Sequence, residues 1–170
     1  MVDGNVVFIE SFSNVHFLKT NSGKKGSGMP VVRNPQFNFK EGFCWTDINS
    51  TFLKARLKGK GVFDVVTMSL FSKTFLPDWY FVALINSRLI SFYVDNFINN
   101  TSHFQINDAR QLPIVIPNEQ QLSVIKNIFS KAFSIKLSQS ANKLSLVSVE
   151  DDLKSIQMQL DLAVEEIYRL

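Results

Sequence analysis

Residues 53–60 read LKARLKGK, which sets Lys54, Arg56, Lys58 and Lys60 at every second position. In a strand, that spacing puts all four cations on one face and leaves the other to Leu53, Ala55 and Leu57. A stripe of four like charges on a sheet is costly unless water or an anion meets it. The chain therefore calls for a sheet with one packed face and one face turned to solvent or to a polyanion. A solvated strand face is the plainer reading of the stripe.

The pattern around this segment is mostly strand-like. NVVFIESFSNVHFL, near the start, mixes Phe, Val and Ile with polar residues; FNFKEGFCWTDI is dense in aromatics; GVFDVVTMSLF reads as a buried strand. KTNSGKKGSGMP has loop composition and carries Lys19, Lys24 and Lys25. LPDWYFVALINSRLISFYVDNFI is one helix by pattern, with Ser87, Arg88, Ser91 and Asp95 on a narrow polar face and Pro77 near its first turn. Asn86 stands among apolar positions, where an amide most simply bonds a buried backbone group. NNTSHFQINDARQLPIVIP returns to strand and turn, with Pro113 and Pro117 bracketing a short extended piece.

Beyond Pro117 the period becomes helical. Asn118, with Gln121 three residues on, approximates a capping box, and Leu122, Ile125, Phe129 and Phe133 follow at helical spacing. After the polar break SQSANKLS, Ser148 and Asp151 open a last helix with a stripe of Leu153, Ile156, Leu160, Ala163 and Ile167. The expected fold class is α+β: a twisted, mainly antiparallel sheet with a packed helix, followed by a C-terminal antiparallel helical pair. Residues 1–118 form the first expected unit, and residues 119–170 a helical spacer or partner-contact segment.

The net charge of +3 hides an asymmetry. Residues 19–60 hold nine basic residues against two acids, net +7, and residues 150–170 hold six acids against two bases, net −4. A basic first third and an acidic last helix suggest a polyanion partner for one face only. With 45% hydrophobic residues and sixteen phenylalanines, there is enough apolar surface for a packed core. The single Cys44 allows no internal disulfide and fits a reducing cytosol. No basic n-region followed by a long apolar run is visible at the start, and WYFVALI is stopped by Asn86, Ser87 and Arg88, so the expected setting is cytoplasmic, without a membrane span.

Catalytic patterns are missing. Asn34-Pro35-Gln36-Phe37 resembles the turn that grips a flipped adenine, but it lacks the second proline and has no glycine-rich strand–loop–helix before it. The acids before residue 120 are scattered singly, and Glu150, Asp151 and Asp152 open a helix, where the dipole favours acids. One cysteine and the distant His16 and His103 make no zinc pattern. Cys44, between Phe43 and Trp45, reads as packing. The chain is expected to be non-catalytic and to act by binding.

FKEGFCW, a short basic segment into GVFDVVTMSLF, WYFVALINSRLISFYV, and NNTSHFQINDARQLPIVIPNEQQ form an ordered set. Over roughly residues 37–170 this set resembles the C-terminal target-recognition (specificity) domain of fused type II restriction–modification enzymes and adenine-specific DNA methyltransferases, Eco57I-like and TaqI-like, and is similar to phage-growth-limitation methyltransferases. QINDARQLPIVIPNEQQ is also similar to the junction between recognition domain and spacer helix in type I specificity subunits. The resemblance implies a sheet-rich module that docks on double-stranded DNA, held by its helices against a methyltransferase catalytic domain or subunit. Any S-adenosylmethionine belongs to that parent protein and no cofactor to this chain, which reads as a fragment or a stand-alone specificity protein. Lys24, Lys25, Arg33, Lys54, Arg56, Lys58 and Lys60 are the expected phosphate contacts, and Arg33, Arg56, Asn34, Gln36, Gln105 and Asn107 the candidate base readers. The alternative is a protein–protein interaction module of a phage-defence assembly without direct DNA contact, using the acidic last helix and exposed aromatics.

Overall fold

The computed structural model describes residues 35–49, 52–61, 67–140 and 146–170. Three short strands, β1 (Gly42–Thr46), β2 (Ala55–Lys58) and β3 (Thr67–Leu70), make an antiparallel sheet in the order β2-β1-β3. Cys44 pairs with Arg56 on one side and with Ser69 on the other. Residues opposite one another across a ladder share a face, and the face alternates along each strand. The register therefore sorts the sheet. Phe43, Trp45, Ala55, Leu57, Met68 and Leu70 take one side; Gly42, Cys44, Thr46, Arg56, Lys58, Thr67 and Ser69 take the other.

The first side is the core face. Phe43 and Trp45 are buried there with Val82 and Ile85 of α1 (Asp78–Ile85), and the Phe43 ring stacks on Phe81 with centroids 5.2 Å apart. Trp45 Nε1 donates to the Phe104 carbonyl at 2.7 Å, so the one polar atom of a fully buried indole is satisfied. At about 25 cal/mol per Å², an aromatic burying 150–250 Å² contributes roughly 4–6 kcal/mol before ordering entropy is counted.

The apolar stretch after Pro77 is two helices, where periodicity alone expects one. α1 ends at Ile85, and α2 (Arg88–Tyr93), extended by a π-helical turn at Val94–Ile98, leaves at a 62° bend. The cause is tertiary. Ser87 Oγ accepts from the Ile90 N–H as an N-cap, Asp161 Oδ1 accepts from the Arg88 N–H at 2.9 Å, and Gln157 Nε2 donates to the Asn86 carbonyl at 3.0 Å. Side chains of the last helix thus satisfy backbone groups that the break sets free.

The segment after Asn99 is also corrected. Its strand character is confined to a single bridge between Ile48 and His103, and a short helix α3 (Ile106–Ala109) follows. Asp108 Oδ2 reaches back to the Gln105 N–H at 2.8 Å and holds that helix start.

α4 (Glu119–Ser140) starts as its capping signal indicates. Asn118 Oδ1 accepts from the Gln121 N–H at 2.8 Å, and Gln121 Oε1 accepts from the Asn118 N–H at 3.0 Å. α5 (Leu146–Tyr168) begins two residues before Ser148, which lies inside the helix and not at its N-cap. Val149 is 1% exposed there, so packing extends the helix upstream of its best polar start signal. The two helices run antiparallel: Ile125 and Ile128 pack with Leu160, Val164 and Ile167, whereas Ser134 and Ile135 meet Asp152 and Ser155. Tyr80, Ala83 and Leu84 of α1 fill the seam beneath them, and Tyr80 Oη donates to the Val115 carbonyl at 2.8 Å. α1 is thus shared between sheet and helical pair. No single helix among the described residues is long and apolar enough to cross a membrane; α1 and α2 reach that length only together, as a bent pair.

Candidate nucleic-acid interface

The cation stripe is shorter than its spacing suggests. β2 ends at Lys58, before Gly59, so only Arg56 and Lys58 sit in the ladder, while Lys54 precedes it and Lys60 follows it. The two in the ladder do share the face opposite the core, as expected. They differ in what holds them. Lys58 Nζ donates to the carbonyls of Lys40 (2.8 Å), Gly59 (3.2 Å) and Gly61 (3.2 Å), and lies 5.7 Å from the Phe71 ring centroid. Partial burial pulls its pKa down, with the nearby Cys44 opposing the shift. Lys58 therefore ties the turn after β2 to the start of β1. Arg56 is exposed, and among the described residues its one hydrogen bond is Nη1 to Thr46 Oγ1 at 3.3 Å, out of the five N–H donors of a guanidinium. Lys54 and Lys60 are exposed.

Around Arg56 the face carries Thr46, Thr67 and Ser69 hydroxyls and the Cys44 thiol, and no carboxylate at any ladder position. Cys44 is buried, and burial raises its pKa against the opposing pull of Arg56 and Lys58. The thiol stays neutral and serves as packing under the cations.

The other candidates fall at different places. Lys24, Lys25, Arg33 and Asn34 lie outside the described residues. Gln36 is exposed in the 3-10 turn Pro35–Phe37, which the Phe37–Phe71 stack (4.9 Å) and the Phe39 N–H to Gly61 carbonyl bond (2.9 Å) hold at the Gly42 end of the sheet. Gln105 and Asn107 are exposed on and beside α3, which the Trp45–Phe104 bond anchors at the other end of β1. Asn107 Oδ1 already accepts from Arg110 Nη1 at 3.0 Å. The candidates thus mark the two ends of a strand roughly 13 Å long at about 3.3 Å per residue, with Arg56 between them.

Pattern reading passes over three residues. Phe39 is 63% exposed at a φ of 61°, a left-handed backbone that a bulky residue seldom adopts. Phe133, placed in the α4 apolar stripe by spacing, is 44% exposed; with Lys136 it lines a cavity of about 650 Å³ between β2 and the helical pair. Phe133 continues the i, i+4 row of Ile125 and Phe129, so nothing in its spacing separates a cavity wall from a core position. Among the described residues no group of three His, Cys, Asp or Glu side chains is placed to hold a metal ion. The sequence matches no protein-family model and no curated protein.

Proposed function

We propose that this chain is a non-catalytic DNA-recognition module of a restriction–modification or adenine-N6 methyltransferase system. The observation that carries the reading is the outer face of the sheet, where Arg56 sits among hydroxyls with no carboxylate in the ladder. That chemistry suits phosphate oxygens, which take charge-assisted bonds from guanidinium and ordinary ones from Ser and Thr. Arg56, Lys54 and Lys60 grip the backbone, with Lys24, Lys25 and Arg33 adding charge from the preceding segment; Arg33, Arg56, Asn34, Gln36, Gln105 and Asn107 are the proposed base-edge readers. Lys58 supports the turn that carries Lys60. The helical pair holds the module against a catalytic domain or subunit, where S-adenosylmethionine and adenine flipping belong.

Fluorescence anisotropy of a random-sequence duplex, titrated at about 50 and 200 mM salt, tests this. Each phosphate contact on duplex DNA contributes about 0.9 to the log–log salt slope. Steep weakening with salt, with a smaller slope for Arg56→Ala, supports the reading. A folded protein that leaves the duplex unbound at low salt defeats it.

A further inference from the structure

We infer that the open edge of β2, with the cavity beside it, is a docking groove for an extended acidic peptide segment of a partner protein. Among the described residues, β2 is an outer strand of the sheet. Its edge is half closed already: the Asn86 amide bonds both backbone groups of Ala55, and Ser91 Oγ accepts from the Leu53 N–H at 3.1 Å. Because Ala55 turns its N–H and C=O away from β1, the two-residue period turns those of Leu57 the same way. Leu57 is therefore the next rung of the ladder, and the residue is 38% exposed. Edges of this kind are where an added strand pairs.

The cavity supplies the side-chain pockets that such a strand needs. Phe52, Leu57, Phe129, Phe133 and Leu153 give it apolar walls. Its charge selects the occupant. Lys54, Arg56, Arg88 and Lys136 line it, with no Asp or Glu among its described lining residues. Arg88 is paired with Asp161 at 3.6 Å, and Lys136 bonds the neutral Gln139 at 3.1 Å, so among the described residues Lys54, Arg56 and Lys136 face no carboxylate on the wall. A segment alternating apolar residues with Asp or Glu would bury the first in the groove, set the second against these cations, and pair its backbone with Leu57. This assignment stands apart from the DNA-binding reading, although Lys54 and Arg56 border both surfaces.

The test is an amide NMR titration of the isotopically labelled full chain with an end-capped octapeptide alternating valine and aspartate. The expected result is saturable shifts at the Leu57, Phe133 and Lys136 amides and slowed exchange of the Leu57 N–H. A valine–lysine octapeptide gives none of these. Phe133→Glu, a change at an exposed helix position, weakens the aspartate peptide by about tenfold or more and leaves duplex affinity unchanged. The inference is overturned by the absence of saturable shifts at about 1 mM peptide, by equal shifts from the lysine peptide, or by a random duplex that moves the same Leu57 and Phe133 amides. Loss of duplex binding in the anisotropy experiment, with the peptide shifts intact, would remove the DNA reading and leave this one standing.

Discussion

The side-chain amide of Asn86 takes the place of a fourth strand. Its Nδ2 donates to the Ala55 carbonyl at 2.9 Å and its Oδ1 accepts from the Ala55 N–H at 2.7 Å, the exchange that two residues of adjacent strands make. Asn86→Leu leaves both groups of Ala55 without partners in a part-buried setting. At about 1–3 kcal/mol for each of the two orphaned groups, the expected loss is about 2–6 kcal/mol. Asn86→Asp fares no better, because its second oxygen faces a carbonyl. Urea unfolding reads the effect as a lower midpoint at unchanged slope. A loss under about 0.5 kcal/mol for Asn86→Leu would mean the edge is supported some other way.

That role was legible in outline: a lone amide among Trp79, Tyr80, Leu84, Ile85 and Ile90 has to bond something buried. The break beside it was not. The apolar period runs through Asn86 and Ser87 without Gly or Pro, and what bends the chain there, Gln157 and Asp161, lies about seventy residues downstream. The α4 start was legible because Asn118 and Gln121 are local partners, whereas α3 begins at Gln105, a poor capping type whose partner Asp108 reads as loop composition. The alternation in LKARLKGK correctly put Arg56 and Lys58 on the outer face. It could not tell the lysine that folds back onto carbonyls from the arginine left exposed, since that difference depends on where Lys40 and Gly61 lie in space.

Gly42 is required by close approach. A Cβ built there would lie 2.5 Å from the Leu70 carbonyl oxygen and 2.9 Å from the Phe71 ring. The oxygen is backbone and cannot swing aside, so Gly42→Ala has to push β3 off β1. Overpacking of this kind costs about 1–3 kcal/mol. Gly59→Ala is the control, since its Cβ would meet nothing within 4 Å. Thermal or urea unfolding of the two variants should separate them by at least about 1 kcal/mol; equal midpoints would show that β3 can move off β1 at little cost.

Arg56 and Lys58 share a face and should separate in experiment. Lys58→Ala removes the donor to three carbonyls and is expected to lower stability by about 1 kcal/mol, the net worth of ordinary hydrogen bonds discounted for exposure. Arg56→Ala is expected to leave the midpoint within about 0.5 kcal/mol and to take about 0.9 from the duplex salt slope. The opposite assignment, with Lys58 setting the slope and Arg56 the stability, would reverse their roles on the sheet.

Cys44 gives an independent reading of the same face. Burial raises its pKa above the ordinary 9.0, and Arg56, then Lys58, act against the rise. The folded state therefore holds the thiol proton more tightly than the unfolded state. Its contribution to stability is full below about pH 9 and declines as pH climbs past that value. Iodoacetamide reacts with the thiolate, so the folded protein should alkylate at least about tenfold more slowly at pH 8 than the urea-unfolded chain. Arg56→Ala tests the electrostatics against simple access. Truncation opens the site and would speed reaction at every pH if access governed, but removal of the cation that most opposes the rise moves the midpoint of the pH–rate curve upward. An upward midpoint places the guanidinium charge over the thiol. An unchanged midpoint would mean that Arg56 points its charge away from the sheet, and would take from the outer face the cation on which the proposed phosphate binding depends.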